Sequence, residues 1–328
     1  MTRSWMLYGA AGYTGTLIAK HAVERGHRPL LAGRSAPAIA ALAEELELPY
    51  RVLALDDPAA VLAALLGVDL VLNAAGPFLR TAAPLVDACL NSGVHYLDIG
   101  NELQVYRALY DLNERAQRAG VSVIPGVGFG VVATNCLARF VNDAVGGADR
   151  LEVASRIACA QAGPGAAATM RENLPFGGWA RQNGRLEPQQ LFSQATTIVF
   201  PDGPHRAVAM PTGDLEAAFR ATGAPNVVAY SVQADPAALE AKVPDGDGAA
   251  SDAYRSFGWA KATGPDGATV EALVQTGDSY AFTAASSVRA VEEVLGAAAP
   301  GASSPATAFG VDFPLSIPGT SRTDTVLY

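Results

Sequence analysis

The chain has 328 residues, of which 50% are hydrophobic and 17% charged, and its formal net charge is −9. This composition predicts a globular protein of about two domains with a large apolar core, and its acidic charge argues against nucleic-acid binding. No apolar run reaches the roughly 18 residues of a membrane span, and the three cysteines, Cys89, Cys136 and Cys159, are too scattered for a metal site or structural disulfides.

The first 125 residues alternate short apolar runs with helical stretches. The predicted strands are Trp5–Tyr8, Arg28–Ala32, Arg51–Ala54, Asp69–Ala74, His95–Ile99 and Ser122–Pro125. The predicted helices are Gly15–Arg25, Ala38–Leu46, Ala59–Leu66, Ala83–Ser92 and Leu103–Arg118. Such alternation predicts a parallel sheet with crossover helices. Because the first strand begins near Ser4, we expect no secretory leader and a cytoplasmic protein.

The pattern changes after Pro125. Strand-like runs follow at Leu151–Cys159, Thr197–Phe200, Arg206–Met210, Asn226–Gln233, Tyr254–Thr263 and Thr269–Thr276. Hairpin turns are predicted at Asn183-Gly184, Pro201-Asp202-Gly203 and Pro265-Asp266-Gly267. We expect a mainly antiparallel sheet with a few helices. The remaining predictions are a solvated loop at Val243–Ser251, a helix near Thr283–Leu295 and an irregular tail from Pro300.

A glycine-rich segment, G-A-A-G-Y-T-G, directly follows the first strand and opens the first helix. A dinucleotide needs a tight turn there, backbone without Cβ beside its pyrophosphate, and the positive end of a helix. The predicted cofactor contacts are Gly9, Ala10, Ala11, Gly12, Tyr13, Thr14 and Gly15. We therefore predict an α/β protein with an N-terminal Rossmann domain (1–125, parallel sheet) and a second α+β domain (126–328, mainly antiparallel sheet). The tail from about residue 296 is expected to pack back on the Rossmann domain.

The end of the second strand predicts which dinucleotide binds. NAD-selective enzymes usually carry a carboxylate there, whereas this chain has Gly33, Arg34 and Ser35. An arginine can pair with the 2′-phosphate and a serine can donate a further hydrogen bond, so NADP(H) is favoured over NAD(H). The alternative is that Arg34 is simply an exposed loop cation.

Two further strands deliver residues to the same sheet edge. The fourth leads into small residues predicted to approach the nicotinamide ribose: Asn73, Ala74, Ala75, Gly76, Pro77 and Phe78. The alternative is a plain strand-to-helix turn. The fifth brings Tyr96, Asp98 and Glu102, which are the candidate catalytic proton donors. For Asp98 and Glu102 the alternative is a helix cap and a first-turn acid.

Three glycines in five residues leave the sixth strand. We predict a loop across the nicotinamide, with contacts from Gly126, Gly128 and Phe129, and then a helix beginning at Thr134–Cys136. Asn135 is expected to cap that helix and to face the cleft. The chain has no Tyr-x-x-x-Lys pair and no G-x-S-x-G segment, which argues against a short-chain dehydrogenase and a hydrolase triad.

Together these residues resemble the saccharopine dehydrogenase-like reductases, especially the branch that includes the mycobacterial trans-acting enoyl reductases. The matching segments extend over nearly the whole chain: G-A-A-G-Y-T-G at Gly9, L-A-G-R at Leu31, N-A-A-G-P-F at Asn73, H-Y-L-D at His95, P-G-V-G-F at Pro125, G-D-L-E-A-A-F-R-A-T-G-A-P-N at Gly213 and S-P-A-T-A-F-G at Ser304. The resemblance implies an NADP(H)-binding Rossmann domain, a second domain over the nicotinamide, and hydride transfer to a polarised C=N or C=C bond. Compared with those relatives the chain lacks two carboxylates, at Gly130 and Asn135, and has Asn101 in place of a glycine.

The sequence thus predicts an enzyme, an NADPH-dependent oxidoreductase that reduces a conjugated C=C or a C=N bond. Because its arginines are scattered, we expect a mainly apolar small-molecule substrate, in lipid or natural-product metabolism. Unpaired strand edges in the second half favour a homodimer. The alternatives are an isomerase or cyclase that keeps NADP as a structural cofactor, and an NADP(H)-binding sensor without catalysis.

Overall fold

The computed structural model of the protein describes residues 4–159, 164–232, 254–297 and 299–327. The predicted loop at Val243–Ser251 lies outside these ranges. Among the helices of the described ranges, none combines the length and the apolar character needed to cross a membrane.

The first half forms a parallel sheet. Its strands are β1 (Trp5–Tyr8), β2 (Leu30–Gly33), β3 (Tyr50–Val52), β4 (Leu70–Asn73), β5 (His95–Asp98) and β6 (Ser122–Ile124). They lie in the order β3-β2-β1-β4-β5-β6, and every pair is parallel. β1, β4 and β6 are buried along their whole length, because helices cover both faces of the sheet. The predicted Rossmann sheet is confirmed.

Six helices connect these strands. They are α1 (Tyr13–Glu24), α2 (Ala36–Leu46), α3 (Pro58–Ala64), α4 (Phe78–Ser92), α5 (Leu103–Asp111) and α6 (Asn113–Ala119). The single long helix predicted over 103–118 is wrong, because it breaks at Leu112 into α5 and α6. The break places the Asn113 side chain where its Oδ1 accepts the Ala302 N–H at 3.0 Å.

The second half forms a mixed, mainly antiparallel sheet with helices. Its elements are α7 (Phe129–Ala144), β7 (Arg150–Arg156), α8 (Pro164–Asn173), a 3₁₀ turn (Leu174–Phe176), β8 (Gly178–Gln182), β9 (Arg185–Gln189), β10 (Ala195–Phe200), β11 (Gly203–Ala209), α9 (Asp214–Thr222), β12 (Asn226–Val232), β13 (Ser256–Thr263), β14 (Thr269–Thr276) and α10 (Ser279–Ala297). The sheet order is β10-β11-β12-β7-β13-β14, the β8–β9 hairpin joins β12, and the β7–β12 pair is parallel. The prediction of an α+β second half with a mainly antiparallel sheet is confirmed.

The three predicted hairpins are present. In the first, Asn183 and Gly184 both have positive φ, 48° and 78°, which is the twist that a two-residue β8–β9 hairpin requires. Pro201 and Asp202 connect β10 to β11, and the segment 264–268 connects β13 to β14.

The tail is regular, so the predicted irregular tail is wrong. It forms β15 (Gly301–Ala302), α11 (Pro305–Phe309), a 3₁₀ turn (Phe313–Ser316) and β16 (Ser321–Leu327). β15 adds a parallel strand beside β6, and β16 pairs with β14. These pairings are long-range, and no local sequence pattern signals them.

The two halves share one continuous apolar core. α7 packs on β13, β7 and β14, and α10 returns to lie along α1. Buried side chains of α1, α7 and α10, among them Ile18, Val132 and Val288, belong to the same cluster. Outside it, the Glu292 carboxylate pairs with Arg25 at 2.8 Å and with His27 at 3.1 Å. The division at residue 125 therefore stays a prediction, since packing joins the halves.

Candidate active site

A cavity of about 1000 Å³ opens at the carboxyl edge of the first sheet, between the two halves. This is the edge at which open α/β sheets bind ligands. Of the predicted site residues, those in its wall are Gly9, Ala11, Gly12, Tyr13, Thr14, Gly33, Arg34, Ser35, Ala74, Ala75, Gly76, Pro77, Phe78, Glu102 and Phe129. The others, which do not line it, are Ala10, Gly15, Asn73, Tyr96, Asp98, Gly126 and Gly128.

The glycine-rich turn between β1 and α1 leaves no room for side chains. Gly9 has φ +83°, and a Cβ there would lie 2.7 Å from the Ala75 nitrogen. A Cβ on Gly15 would lie 2.2 Å from the Gly9 carbonyl oxygen. Gly12 caps α1 without a side-chain hydrogen bond, so amide N–H groups of the first turn remain available. This cradle fits an anionic pyrophosphate.

Arg34 stands at the far end of the cavity, after β2. Its side chain is exposed, and no carboxylate in the described part of the chain forms an ion pair with it. Nearby, the Tyr8 hydroxyl donates to the Leu53 carbonyl at 3.3 Å, and burial raises the pKa of that phenol. The end of β2 carries a cation and a serine but no acid, which fits a 2′-phosphate.

The side chain of Asn73, the last residue of β4, holds the turn that follows this strand. Its Oδ1 accepts the Ala75 N–H at 3.0 Å, and its Nδ2 donates to Thr81 Oγ1 at 3.1 Å and to the Tyr96 hydroxyl at 3.2 Å. Asn73 is fully buried. It therefore positions the small residues that line the cavity and does not contact a ligand itself.

Tyr96 and Asp98 lie beneath the cavity floor. The Tyr96 hydroxyl donates to Asp98 Oδ2 at 3.0 Å, while Asp98 Oδ1 accepts the N–H groups of Gly100 at 2.9 Å and Gly126 at 3.1 Å. Both side chains have 0% exposure, so neither reaches a substrate. This burial argues against the proton-donor role predicted from their strand and favours a positioning role, because alternate residues of β5 point into the core.

Burial raises the pKa of Asp98 to about 7, even though three donated hydrogen bonds oppose the shift. The folded protein therefore holds the Asp98 proton more tightly than the unfolded chain does. The resulting stabilisation is complete below about pH 4, where both states are protonated, and is lost as the pH rises through about 7. We expect the free energy of unfolding of the wild type to fall by about 2–4 kcal/mol over that interval relative to Asp98→Asn. Urea titrations of both proteins from pH 4 to 8 measure this difference. Asp111→Asn, which removes an exposed carboxyl, is the control, and a constant difference between wild type and Asp98→Asn would contradict the assignment.

Glu102 is the predicted carboxylate that does line the cavity. Its Oε1 accepts the Phe78 N–H at 2.9 Å, at the first residue of α4, and its Oε2 accepts the Asn101 N–H at 3.0 Å. The Thr169 side chain on α8 also hydrogen-bonds to it. Burial raises the pKa of Glu102, and these hydrogen bonds act in the opposite direction. A Cβ on Gly100 would lie 3.0 Å from both the carboxylate and the Phe78 ring, so glycine is needed beside it.

The predicted loop across the nicotinamide is shorter than expected. α7 already begins at Phe129, whose N–H donates to Thr283 Oγ1 at 3.1 Å. The prediction that a helix starts at Thr134 is therefore wrong, and so is the placement of Asn135 at the cleft. Asn135 is buried inside α7, and its Oδ1 accepts the Ala306 N–H at 2.8 Å.

Sequence reasoning missed the contribution of α10. Ser279, Tyr280 and Thr283 line the cavity from its first turns, and the Tyr280 ring meets the Tyr13 ring edge to face at 5.0 Å. The Asp278 carboxylate accepts the Tyr280 N–H at 2.8 Å and caps this helix. An acid a few residues before the predicted start at Thr283 was the available signal.

The end of the cavity formed by the second half is mainly apolar. Its apolar side chains are Ile157, Leu174, Leu191, Met210 and Pro211, and polar side chains of the same half, among them Thr169, Thr212 and Ser231, also line the cavity. Among the described residues at this end, the cation is Arg80, which is paired with Glu172 at 2.7 Å. An apolar ligand therefore fits this end better than an anionic one.

Comparisons with known proteins agree with this geometry. The family model of the saccharopine dehydrogenase NADP binding domain matches residues 5–124. The "Trans-acting enoyl reductase" of Mycobacterium ulcerans (strain Agy99) is 32% identical over 132 residues, which make up 38% of this chain and 32% of that protein. The protein of the same name from Mycobacterium tuberculosis (strain ATCC 25618 / H37Rv) is 33% identical, with the same coverage. The match thus spans about a third of the length of these curated relatives.

A solved structure matches almost the whole chain. It is apo saccharopine dehydrogenase (L-Glu forming) from Saccharomyces cerevisiae, with a TM-score of 0.66, covering 99% of this chain and 100% of that chain. The sequence identity is 13%, so the likeness shows the fold alone. Residues 5–124 therefore match the saccharopine dehydrogenase NADP binding domain family and are distantly similar to trans-acting enoyl reductases, and the chain has the fold of saccharopine dehydrogenase.

Proposed function

We propose that the protein is an NADPH-dependent reductase that transfers hydride to a polarised double bond of a mainly apolar small molecule. The observation that carries this proposal is one continuous cavity with an anion cradle and Arg34 at one end and apolar side chains at the other. We further propose residues 1–125 as the cofactor domain and 126–328 as the substrate domain. The names of the trans-acting enoyl reductase relatives support a conjugated C=C bond as the acceptor.

In this proposal the chain's residues bind, orient and exclude water. The amides at the start of α1 hold the pyrophosphate, while Arg34 and Ser35 hold the 2′-phosphate. When bound, NADPH supplies the hydride. We call the part of the cavity near Phe78, Phe129 and Glu102, where the nicotinamide would meet the acceptor, the reacting end. Phe78 and Phe129 exclude water from it, which strengthens the polar contacts within it.

Charge at the reacting end limits the substrate. Glu102 carries a carboxyl there, and Arg80 is already neutralised by Glu172, so a substrate with several negative charges would be repelled. The proton that follows the hydride comes from water or from a hydroxyl of the cavity wall, since Asp98 and Tyr96 are buried beneath it.

The deciding experiment is titration with NADPH and NADH by fluorescence, followed by mixing the NADPH complex with enones, enoyl esters and cyclic imines. We expect tight NADPH binding and loss of absorbance of the reduced nicotinamide with one class of acceptor. Binding without consumption by any of them would favour a structural or sensing role for the cofactor. If neither nucleotide binds, the proposal is wrong.

A further inference from the structure

The most distinctive part of the cavity wall outside the cofactor-binding motifs is α8. Its residues Gly165, Ala168, Thr169 and Glu172 all face the cavity. Their spacing of i, i+3, i+4 and i+7 places them on one face of the helix. α8 therefore covers the reacting end of the cavity from the side of the second half.

The described side chains of α8 are open to solvent in whole or in part. Of the α8 side chains whose burial the structure describes, none is fully buried. The turn that follows it is also open to solvent, with Leu174 39% and Phe176 47% exposed. By contrast, α4 buries seven residues, including Leu85. An element whose described side chains are exposed opens more readily than the buried parts of a fold.

Two polar contacts join α8 to the Rossmann domain. The Thr169 side chain bonds the Glu102 carboxylate, and a Cβ on Gly76 would lie 3.2 Å from Thr169 Oγ1. One turn later, Glu172 pairs with Arg80 at 2.7 Å, with side-chain exposures of 28% and 73%. Arg80 Nε also donates to the second oxygen of Glu172 at 3.2 Å, so the pair is bidentate. The Arg80 side chain remains mostly exposed, however, and water competes for its hydrogen bonds, so this second contact can break and re-form.

Glu102 contacts both halves of the protein beside α8. The same carboxylate that receives Thr169 also accepts the Phe78 and Asn101 N–H groups, so both of its oxygens are already occupied by Rossmann-domain amides. Its backbone forms an isolated antiparallel bridge with Thr212 of the second half. A carboxylate with both oxygens accepting amide N–H groups is poorly placed to give a proton to a ligand.

We infer that α8 is a lid over the reacting end of the cavity, held closed by Thr169 on Glu102 and by Glu172 on Arg80, with Glu102 as a positioning residue and not the acid. This inference rests on the proposed function, because it places the lid over a bound nucleotide and its acceptor. Opening of α8 would admit the acceptor, and closure would exclude water from the hydride-transfer geometry.

Hydrogen exchange measured by mass spectrometry on the full chain tests the lid directly. Without nucleotide, we expect segment 164–176 to exchange faster than α4, and saturating NADPH to slow it severalfold. Glu172→Gln and Thr169→Val should each speed exchange of 164–176 by roughly twofold to fivefold without changing α1. Thr169→Ser, which keeps the hydroxyl, should behave as the wild type. Asp143→Asn breaks a comparably exposed pair, with Arg139 at the far end of α7, and should leave 164–176 unchanged.

Glu102→Gln separates the positioning role from a lid held by the ion pair alone. A glutamine has one oxygen and one NH2 group, so its NH2 group would face either the Phe78 or the Asn101 N–H and one hydrogen bond would be lost. Exchange should therefore rise both around residues 76–80 and in 164–176. The inference is overturned if 164–176 exchanges as slowly as α4 in every protein, or if the variants speed exchange uniformly along the chain. If NADPH fails to bind, the proposed function falls, whereas the comparison of nucleotide-free variants still tests the lid.

Discussion

Gly15→Ala should abolish NADPH binding and lower the free energy of unfolding by about 3 kcal/mol or more. The added Cβ would lie 2.2 Å from the Gly9 carbonyl oxygen and 2.9 Å from the Ala10 Cα, both backbone atoms that cannot rotate away. Relief requires the first turn of α1 to move away from the turn after β1, which dismantles the anion cradle. Urea unfolding and NADPH fluorescence titration measure the two effects.

Two matched variants identify the cause. Gly26, just after α1, has φ +82° and nothing within 4 Å of the position that an added methyl group would take, so Gly26→Ala reports only backbone strain, about 1–2 kcal/mol. Gly12→Ala meets one atom, the Gly9 oxygen, at 3.2 Å and should fold while binding NADPH more weakly. Gly15→Ala with wild-type affinity would refute the close-approach explanation.

Arg34→Ala should weaken NADPH binding by roughly 10- to 100-fold and leave NADH binding within about twofold of the wild type. The guanidinium lies in the cavity wall with no ion-paired carboxylate among the described residues, so the charge is available to a 2′-phosphate. The interaction between Arg34 and the 2′-phosphate is electrostatic and partly exposed to solvent. Added salt should therefore lower the ratio of NADPH to NADH affinity in the wild type and leave that ratio unchanged in Arg34→Ala.

Removal of a positive charge elsewhere is the necessary control. Arg28 is exposed and donates to the Glu47 carbonyl outside the cavity, so Arg28→Ala changes net charge equally and should not change the ratio of NADPH to NADH affinity. Equal loss of both nucleotides in Arg34→Ala would instead mean that this side chain shapes the cavity and does not read the 2′-phosphate.

The position of the glycine-rich turn and of the sheet edge beside it was predictable from the sequence. A strand, a glycine-rich turn and a helix are consecutive, so the position of Gly9 to Gly15 follows from local geometry. The same holds for Arg34 and for the turn from Ala74 to Phe78, because parallel strands end at one edge of their sheet. The hairpin at Asn183-Gly184 was predictable for a similar reason, since both residues tolerate positive φ.

Which carboxylate reaches the cavity, and which distant elements line it, was not predictable from the sequence. Asp98 and Glu102 are close in sequence and indistinguishable by composition, yet Asp98 ends β5 under the floor while Glu102 precedes α5 in the wall. Tyr280 and Thr169 come from segments far along the chain from Glu102, and their arrival depends on α10 packing along α1 and on α8 crossing to Glu102. Such contacts form only when apolar faces that are far apart in the sequence are buried together. The hydrophobic pattern of a short segment does not indicate which distant segment it will pack against.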